Sequence, residues 1–329
     1  FLLQKREENE LSQAFSAYNT RIIQAATGSM IPSAPLKKNI LLVAFAIGLL
    51  VPAIIIFLRE TMNTKLRGRK DLEQLSMPFL GEIPLAHKKN SKNIFSKKDK
   101  QTELKIVVKP GNRNISNEAF RVLRTNLEFM MGQKKDENVI VVTSFNPGSG
   151  KSFSAMNIAA SLSLKNKKVL VIDGDLRHGS TSSYINSPKQ GLTDYLNGAV
   201  SDISKIIVPL PKYSGVNVIP IGTIPPNPTE LLEENRLKNL LESVRHNYDY
   251  VFVDCPPIDI VADTQIIEQY ADRTIFVVRA GFLERSMIQE LENIYTEKRF
   301  KNLALVLNGT ISSNSRYGYK YGYQYGYGY

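Results

Sequence analysis

Residues 144–152 read SFNPGSGKS and follow the apolar run VIVVT, before a stretch with helical character. A strand, a glycine turn and a helix start in that order form the setting of a phosphate-binding loop. Gly148 and Gly150 would let backbone N–H groups approach an anion, and the helix N-terminus favours negative charge there. Lys151 would neutralise phosphate oxygens, and Ser152 is the candidate magnesium ligand. The strict GxxxxGKS pattern asks for glycine at position 145, where this chain carries Phe145, so only its GKS end is intact.

Three carboxylates stand at the ends of apolar runs elsewhere. KVLVIDGDLR places Asp173 and Asp175 just past one run, and VFVDCPP places Asp254 at the end of another. One such Asp is an ordinary turn or cap residue. Three of them beside a GKS loop read as a magnesium site, in which carboxylates hold the ion and its waters.

These residues need a scaffold that brings strand ends together. The runs VIVVTS, KVLVIDGD, VNVIPIG, YDYVFVDCPP, RTIFVVRA and LALVLNGT alternate with helical stretches. Near-continuous apolar strands separated by helices predict an α/β fold whose parallel sheet is covered on both faces. The site is then expected at the C-terminal ends of the strands.

Composition limits the alternatives. A single cysteine, Cys255, excludes an intramolecular disulfide framework and a multi-cysteine zinc site, and His87, His178 and His246 are scattered singly. The formal charge of +11 is concentrated after one apolar run, in Arg59, Lys65, Arg67, Arg69 and Lys70 and then in Lys88 through Lys100. That distribution points to a membrane surface, with no nucleic acid expected. The run itself, ILLVAFAIGLLVPAIIIFL at 40–58, has 19 residues without a charge. It spans about 28 Å at 1.5 Å per residue, the thickness of a bilayer core. Lys37 and Lys38 precede it and the larger basic cluster follows it, so the C-terminal side is expected to be cytoplasmic. Residues 85–114 are rich in Lys, Asn and Ser and read as a linker.

The three acidic and glycine motifs together resemble the deviant Walker-box ATPases of MinD and ParA type, over about residues 115–310. The resemblance implies an ATP-binding loop of Pro147, Gly148, Ser149, Gly150, Lys151, Ser152 and Phe153, with Mg2+ on Ser152, Asp173 and Asp254. It also implies that Asn308 contacts adenine; by itself the sequence reads Asn308 as a turn former.

Two features narrow the family. In EAFRVLRTNLEF, Glu118, Arg121 and Arg124 recur every three residues and share one helix face. At the other end, SRYGYKYGYQYGYGY carries Tyr317, Tyr319, Tyr321, Tyr323, Tyr325, Tyr327 and Tyr329, with no aliphatic face to bury. With the membrane run and the basic linker, these are similar to the Wzc-like bacterial tyrosine kinases over nearly the whole chain. That resemblance implies a membrane-anchored autokinase at the bacterial inner membrane, with its kinase domain cytoplasmic, regulating exopolysaccharide export. It implies self-association through Glu118, Arg121 and Arg124 in a ring and phosphorylation of the tail tyrosines. Lys151, Asp173 and Asp175 are the catalytic candidates, and either Asp could orient the incoming hydroxyl. Polysaccharide export machinery and a tyrosine phosphatase are the expected partners.

The expected layout is an extracytoplasmic end at 1–38, a membrane helix at 39–58, a basic linker at 59–114, the kinase domain at 115–311 and the tail at 312–329. Because the chain opens on Phe1 inside a helical stretch, a preceding part of the natural protein is expected, and the resemblance implies that it holds a first membrane span and an extracytoplasmic co-polymerase domain. Two other readings stay open: a ParA- or MinD-like ATPase switch, and a chain-length scaffold without kinase activity.

Overall fold

The computed structural model describes residues 1–16, 28, 36–62, 64–85, 106–112, 114–132, 136–258, 260 and 262–310. The tyrosine-rich tail and the basic segment 86–105 lie outside them. The chain divides into two units, residues 1–63 and 64–329.

The first unit contains α1 (Leu2–Ser16) and α2 (Lys37–Thr61). Within Lys37–Arg59 an 18-residue apolar stretch has a mean hydropathy of 3.1, and none of that stretch is buried inside the protein. Leu41, Phe45, Leu49 and Ile56 are all exposed. A helix of this length and composition is suited to a bilayer, where Pro52 is tolerated within it.

The second unit is a three-layer α/β structure. In chain order its elements are β1 (Phe79–Pro84), α3 (Ile115–Met131), β2 (Val139–Thr143), α4 (Lys151–Ser163), β3 (Val169–Asp173), α5 (Leu192–Leu196), β4 (Val208–Pro209) and β5 (Val216–Ile219). There follow α6 (Pro228–Glu233), α7 (Asn235–Arg245), β6 (Tyr250–Asp254), α8 (Asp263–Glu268), β7 (Arg273–Arg279), α9 (Ser286–Thr296) and β8 (Leu303–Thr310). The sheet order is β1-β8-β7-β2-β6-β3-β5-β4. Every pairing is parallel except β4 with β5.

The uninterrupted apolar runs follow from burial on both faces. Along β2, Ile140 and Val142 enter one core while Val139 and Val141 enter another. Strand β6 repeats the alternation with Tyr250 and Phe252 against Val251 and Val253. One face carries a continuous core beneath α3 and α4. The opposite face carries two, one containing residues of α5, α7 and α8 and the other built around α9, Phe276 and Leu305.

The stretch read as linker differs from that reading. Residues 64–85 belong to the compact unit: β1 pairs with β8, and Leu66, Leu72, Met77, Leu80 and Ile83 are buried. Lys65 pairs with Glu284 at 3.0 Å and Arg285 with Asp71 at 3.2 Å, so part of the basic cluster serves the fold. Val108 is buried as well, and Asn157 Oδ1 on α4 accepts from the Val107 and Val108 amides at 2.8 and 3.3 Å. Leu80→Ala should therefore cost about 2–5 kcal/mol of stability by urea unfolding. A linker position would be neutral in the same experiment.

Candidate functional site

Parallel pairing puts the C-terminal ends of β2, β3, β6, β7 and β8 on one edge of the sheet. In register, Val142 of β2 is opposite Asp254 of β6, and Asp254 is opposite Asp173 of β3. Adjacent strands lie about 4.8 Å apart, so the two carboxylates are neighbours beside the loop leaving β2.

That loop is built on glycine where the backbone demands it. Gly148 and Gly150 take φ of +75° and +95°, the left-handed region, and a Cβ at Gly150 would stand 2.1 Å from Asn308 Nδ2. The Ser149 hydroxyl donates to the Asn146 carbonyl at 2.8 Å, and the Ile258 amide donates to the Ser144 carbonyl at 3.0 Å. Position 145 has no positive φ, so nothing in the backbone requires glycine there. Phe145 instead turns into the core and meets Phe276 edge-on, with centroids 4.8 Å apart. The departure from the strict loop pattern is thus a packing feature.

The carboxylates are buried and half satisfied. Asp173 Oδ2 accepts from the Ser182 amide and hydroxyl, both at 2.6 Å, while Oδ1 has no protein partner. Asp254 Oδ2 accepts from the Thr181 hydroxyl at 2.7 Å, and its Oδ1 is likewise unpartnered. Burial, followed by repulsion from Asp254, pushes the Asp173 carboxyl up to about 8. Burial also raises Asp254, against the opposing pull of Ser152, Thr181 and Lys151. Two orphan carboxylate oxygens beside a serine at a phosphate loop suit a hard cation. Among the described residues no cluster of three or more His, Cys, Asp or Glu could hold a metal. A site of this kind fits magnesium, which keeps waters and takes phosphate oxygens as ligands.

Asp175 is placed differently. Its Oδ1 accepts from the Arg177 and His178 amides at 3.2 Å, so it closes the turn after β3. Phe153 packs its ring against Phe120, with centroids 5.8 Å apart, which leaves only its backbone for a phosphate. The Asn308 amide donates to the Ser149 carbonyl at 2.8 Å. On α3, Glu118 and Arg121 pair with each other at 2.7 Å, and Arg124 donates to the Ser161 carbonyl at 2.8 Å, tying α3 to the loop helix α4. The tail tyrosines lie outside the described residues.

Sequence reasoning missed Thr181, Ser182, Arg177, Thr229 and Asp263. Thr181 and Ser182 orient the two carboxylates. Arg177 donates through Nε to buried Asp263 at 3.2 Å and through Nη2 to Thr229 at 3.2 Å, joining the turn after β3 to the starts of α6 and α8. A hydroxyl pair six and seven residues after Asp175 carries no spacing signature. Its only sequence sign is the polar run STSS itself.

Comparison with known proteins identifies relatives of the chain and of its fold. Residues 137–305 match the family described as AAA domain. The chain is 34% identical over 328 residues to a putative tyrosine-protein kinase in cps region of Klebsiella pneumoniae, covering 96% of this chain and 44% of that protein. It is 31% identical to the tyrosine-protein kinase etk of Escherichia coli K12, covering 97% of this chain and 45% of the other. The chain thus spans less than half the length of these curated relatives. Among solved structures, the kinase domain of Escherichia coli ETK superposes with a TM-score of 0.63 at 29% identity, over 80% of this chain and all of that domain. The BceF tyrosine kinase domain gives 0.63 at 30% identity, over 74% of this chain and 99% of its own length.

Proposed function

Because the chain belongs to the bacterial tyrosine-protein kinases built on an AAA domain, we propose that it transfers the γ-phosphoryl group of ATP to tyrosines of its own C-terminal segment. The observation that carries this reading is the pair of orphan oxygens on Asp173 and Asp254 beside the GKS loop. The origin of the tail agrees with it. Strand β8 runs parallel to β7 and ends at Thr310, so the tail leaves from the same sheet edge.

In this reading Lys151 and the amides of the loop bind the phosphates. Ser152, Asp173 and Asp254 would hold magnesium. When bound, magnesium supplies neutralisation of the charge on the phosphate oxygens. A tyrosine hydroxyl attacks the γ-phosphorus, the bond to the ADP oxygen breaks, and the phenolic proton leaves. A free phenol has a pKa near 10, so a carboxylate accepts that proton late in the transfer. Asp173 is the better candidate for that acceptor. Its Oδ1 is without a protein partner, whereas Asp175 Oδ1 is committed to the turn.

The α2 helix anchors the chain in the inner membrane with the kinase unit cytoplasmic, where ATP is available. We place the protein in a homo-oligomeric ring serving polysaccharide export, opposed by a tyrosine phosphatase. In that ring Glu118 and Arg121 lie at the contact, while Arg124 orients α3 against α4. Incubating the full chain in detergent with Mg-ATP and mapping phosphotyrosine by mass spectrometry tests the activity. Modification within Tyr317–Tyr329 is expected. ATP hydrolysis with an unmodified tail would favour the ATPase-switch reading.

A further inference from the structure

A loop that holds phosphate through its N–H groups must turn its carbonyl oxygens away, because a carbonyl beside a phosphate repels it. Here two consecutive carbonyls of the loop are each taken by a side chain from behind. Arg279 Nη1 donates to the Gly148 carbonyl at 2.7 Å, and Asn308 Nδ2 donates to the Ser149 carbonyl at 2.8 Å. The two donors are register partners at the ends of neighbouring strands β7 and β8. The backbone ties them further, since the Ala280 amide donates to the Asn308 carbonyl at 2.8 Å. The arginine is itself steadied, with its guanidinium carbon 5.8 Å from the centre of the Phe282 ring. Gly150 completes the fit, because only a residue without Cβ leaves room for the Asn308 amide.

We propose that Arg279 and Asn308 form a two-strand brace that presets the phosphate-facing geometry of the loop. Arg279 is then a positioning residue for the nucleotide phosphates, and Asn308 acts on the phosphates through the Ser149 carbonyl. The inference rests on the nucleotide-binding reading of the loop and adds the device that holds it open. With the carbonyls pinned outward before binding, less ordering remains to be done when the anion arrives.

The test uses the full chain in detergent, titrated with fluorescent mant-ADP and mant-GDP and then displaced with pyrophosphate. Arg279→Ala and Asn308→Ala are each expected to weaken both mant-nucleotides alike, by about 10-fold, the worth of one charge-assisted or well-placed hydrogen bond. Pyrophosphate displacement should weaken by the same factor. Arg279→Lys, which keeps a donor that reaches the carbonyl, should recover part of the affinity. The double variant should lose less than the product of the single losses, because both changes release one loop. Unchanged affinities, fully multiplicative losses, or a loss at Asn308 confined to mant-ADP would overturn the brace. If Arg279→Ala fails to fold, Arg279→Lys and Asn308→Ala carry the same comparison. A wild-type chain that binds neither probe removes the nucleotide reading itself, whereas wild-type binding with unaltered variants removes only the brace.

Discussion

A Lys151→Met chain incubated with Mg-ATP should leave its tail essentially unmodified, with the phosphorylation rate down by about 10²–10³-fold or more, the scale on which one charge-stabilising donor acts in a preorganised site. Methionine keeps the unbranched stem at the first turn of α4 and removes only the ammonium, so the thermal midpoint should change little. Phosphotyrosine mapping by mass spectrometry reads the rate, and a melting curve reads the fold. Wild-type labelling in this variant would remove the loop from the mechanism. The same variant also tests transfer between subunits. From Gly309 the tail has about 20 residues, which at ~3.3 Å each reach at most roughly 70 Å, enough for a neighbouring site. Mixed with a chain lacking residues 312–329 but retaining Lys151, the Lys151→Met chain should regain tail labelling. No labelling in the mixture would confine transfer to the chain's own site.

The parts of this site that were legible in the sequence are those where the backbone leaves a signature. The central strands announced themselves because burial on both faces makes every residue of VIVVT and YVFVD apolar up to the terminal polar residue. Strand β1 did not, because FLGEIP mixes Gly81 and exposed Glu82 into an edge strand and sits among basic residues. Counting positions in the loop motif flagged Phe145 as a defect. What matters there is the sign of φ, which only Gly148 and Gly150 need to be positive. Helical spacing put Glu118, Arg121 and Arg124 on one face but could not say that Arg124 ends on the Ser161 carbonyl of α4. The hydroxyls of Thr181 and Ser182 escaped notice because they act on residues brought close by the sheet, at sequence separations of 73 and 9.

The second large effect concerns Asp173, where function and stability pull in opposite directions. Its carboxyl is raised from 3.8 to about 8, first by burial and then by Asp254. A group raised in the folded state binds more protons folded than unfolded between those two values, so its stabilising contribution is complete below about pH 4. That contribution is lost as pH climbs toward 8. The metal-free chain should therefore melt progressively lower from pH 5 to pH 8. In Asp173→Asn the side-chain oxygen can still accept from Ser182, and the charge that repels Asp254 is gone. This variant should lose much of that slope and melt on the order of 5 °C above wild type at pH 8 without ligand. Adding Mg-ADP should reverse the order. A ligand that binds only the ionised, folded site stabilises wild type by mass action and gives the variant little, and tail phosphorylation in the variant should fall by about 10²-fold or more. A wild-type midpoint that stays flat from pH 5 to pH 8, or an Asp173→Asn chain that melts below wild type at pH 8 without ligand, would show that the buried carboxylate pair is not held under the repulsion inferred for it. If the expected crossover is found, the energy stored in two half-satisfied carboxylates is what magnesium and nucleotide release on binding.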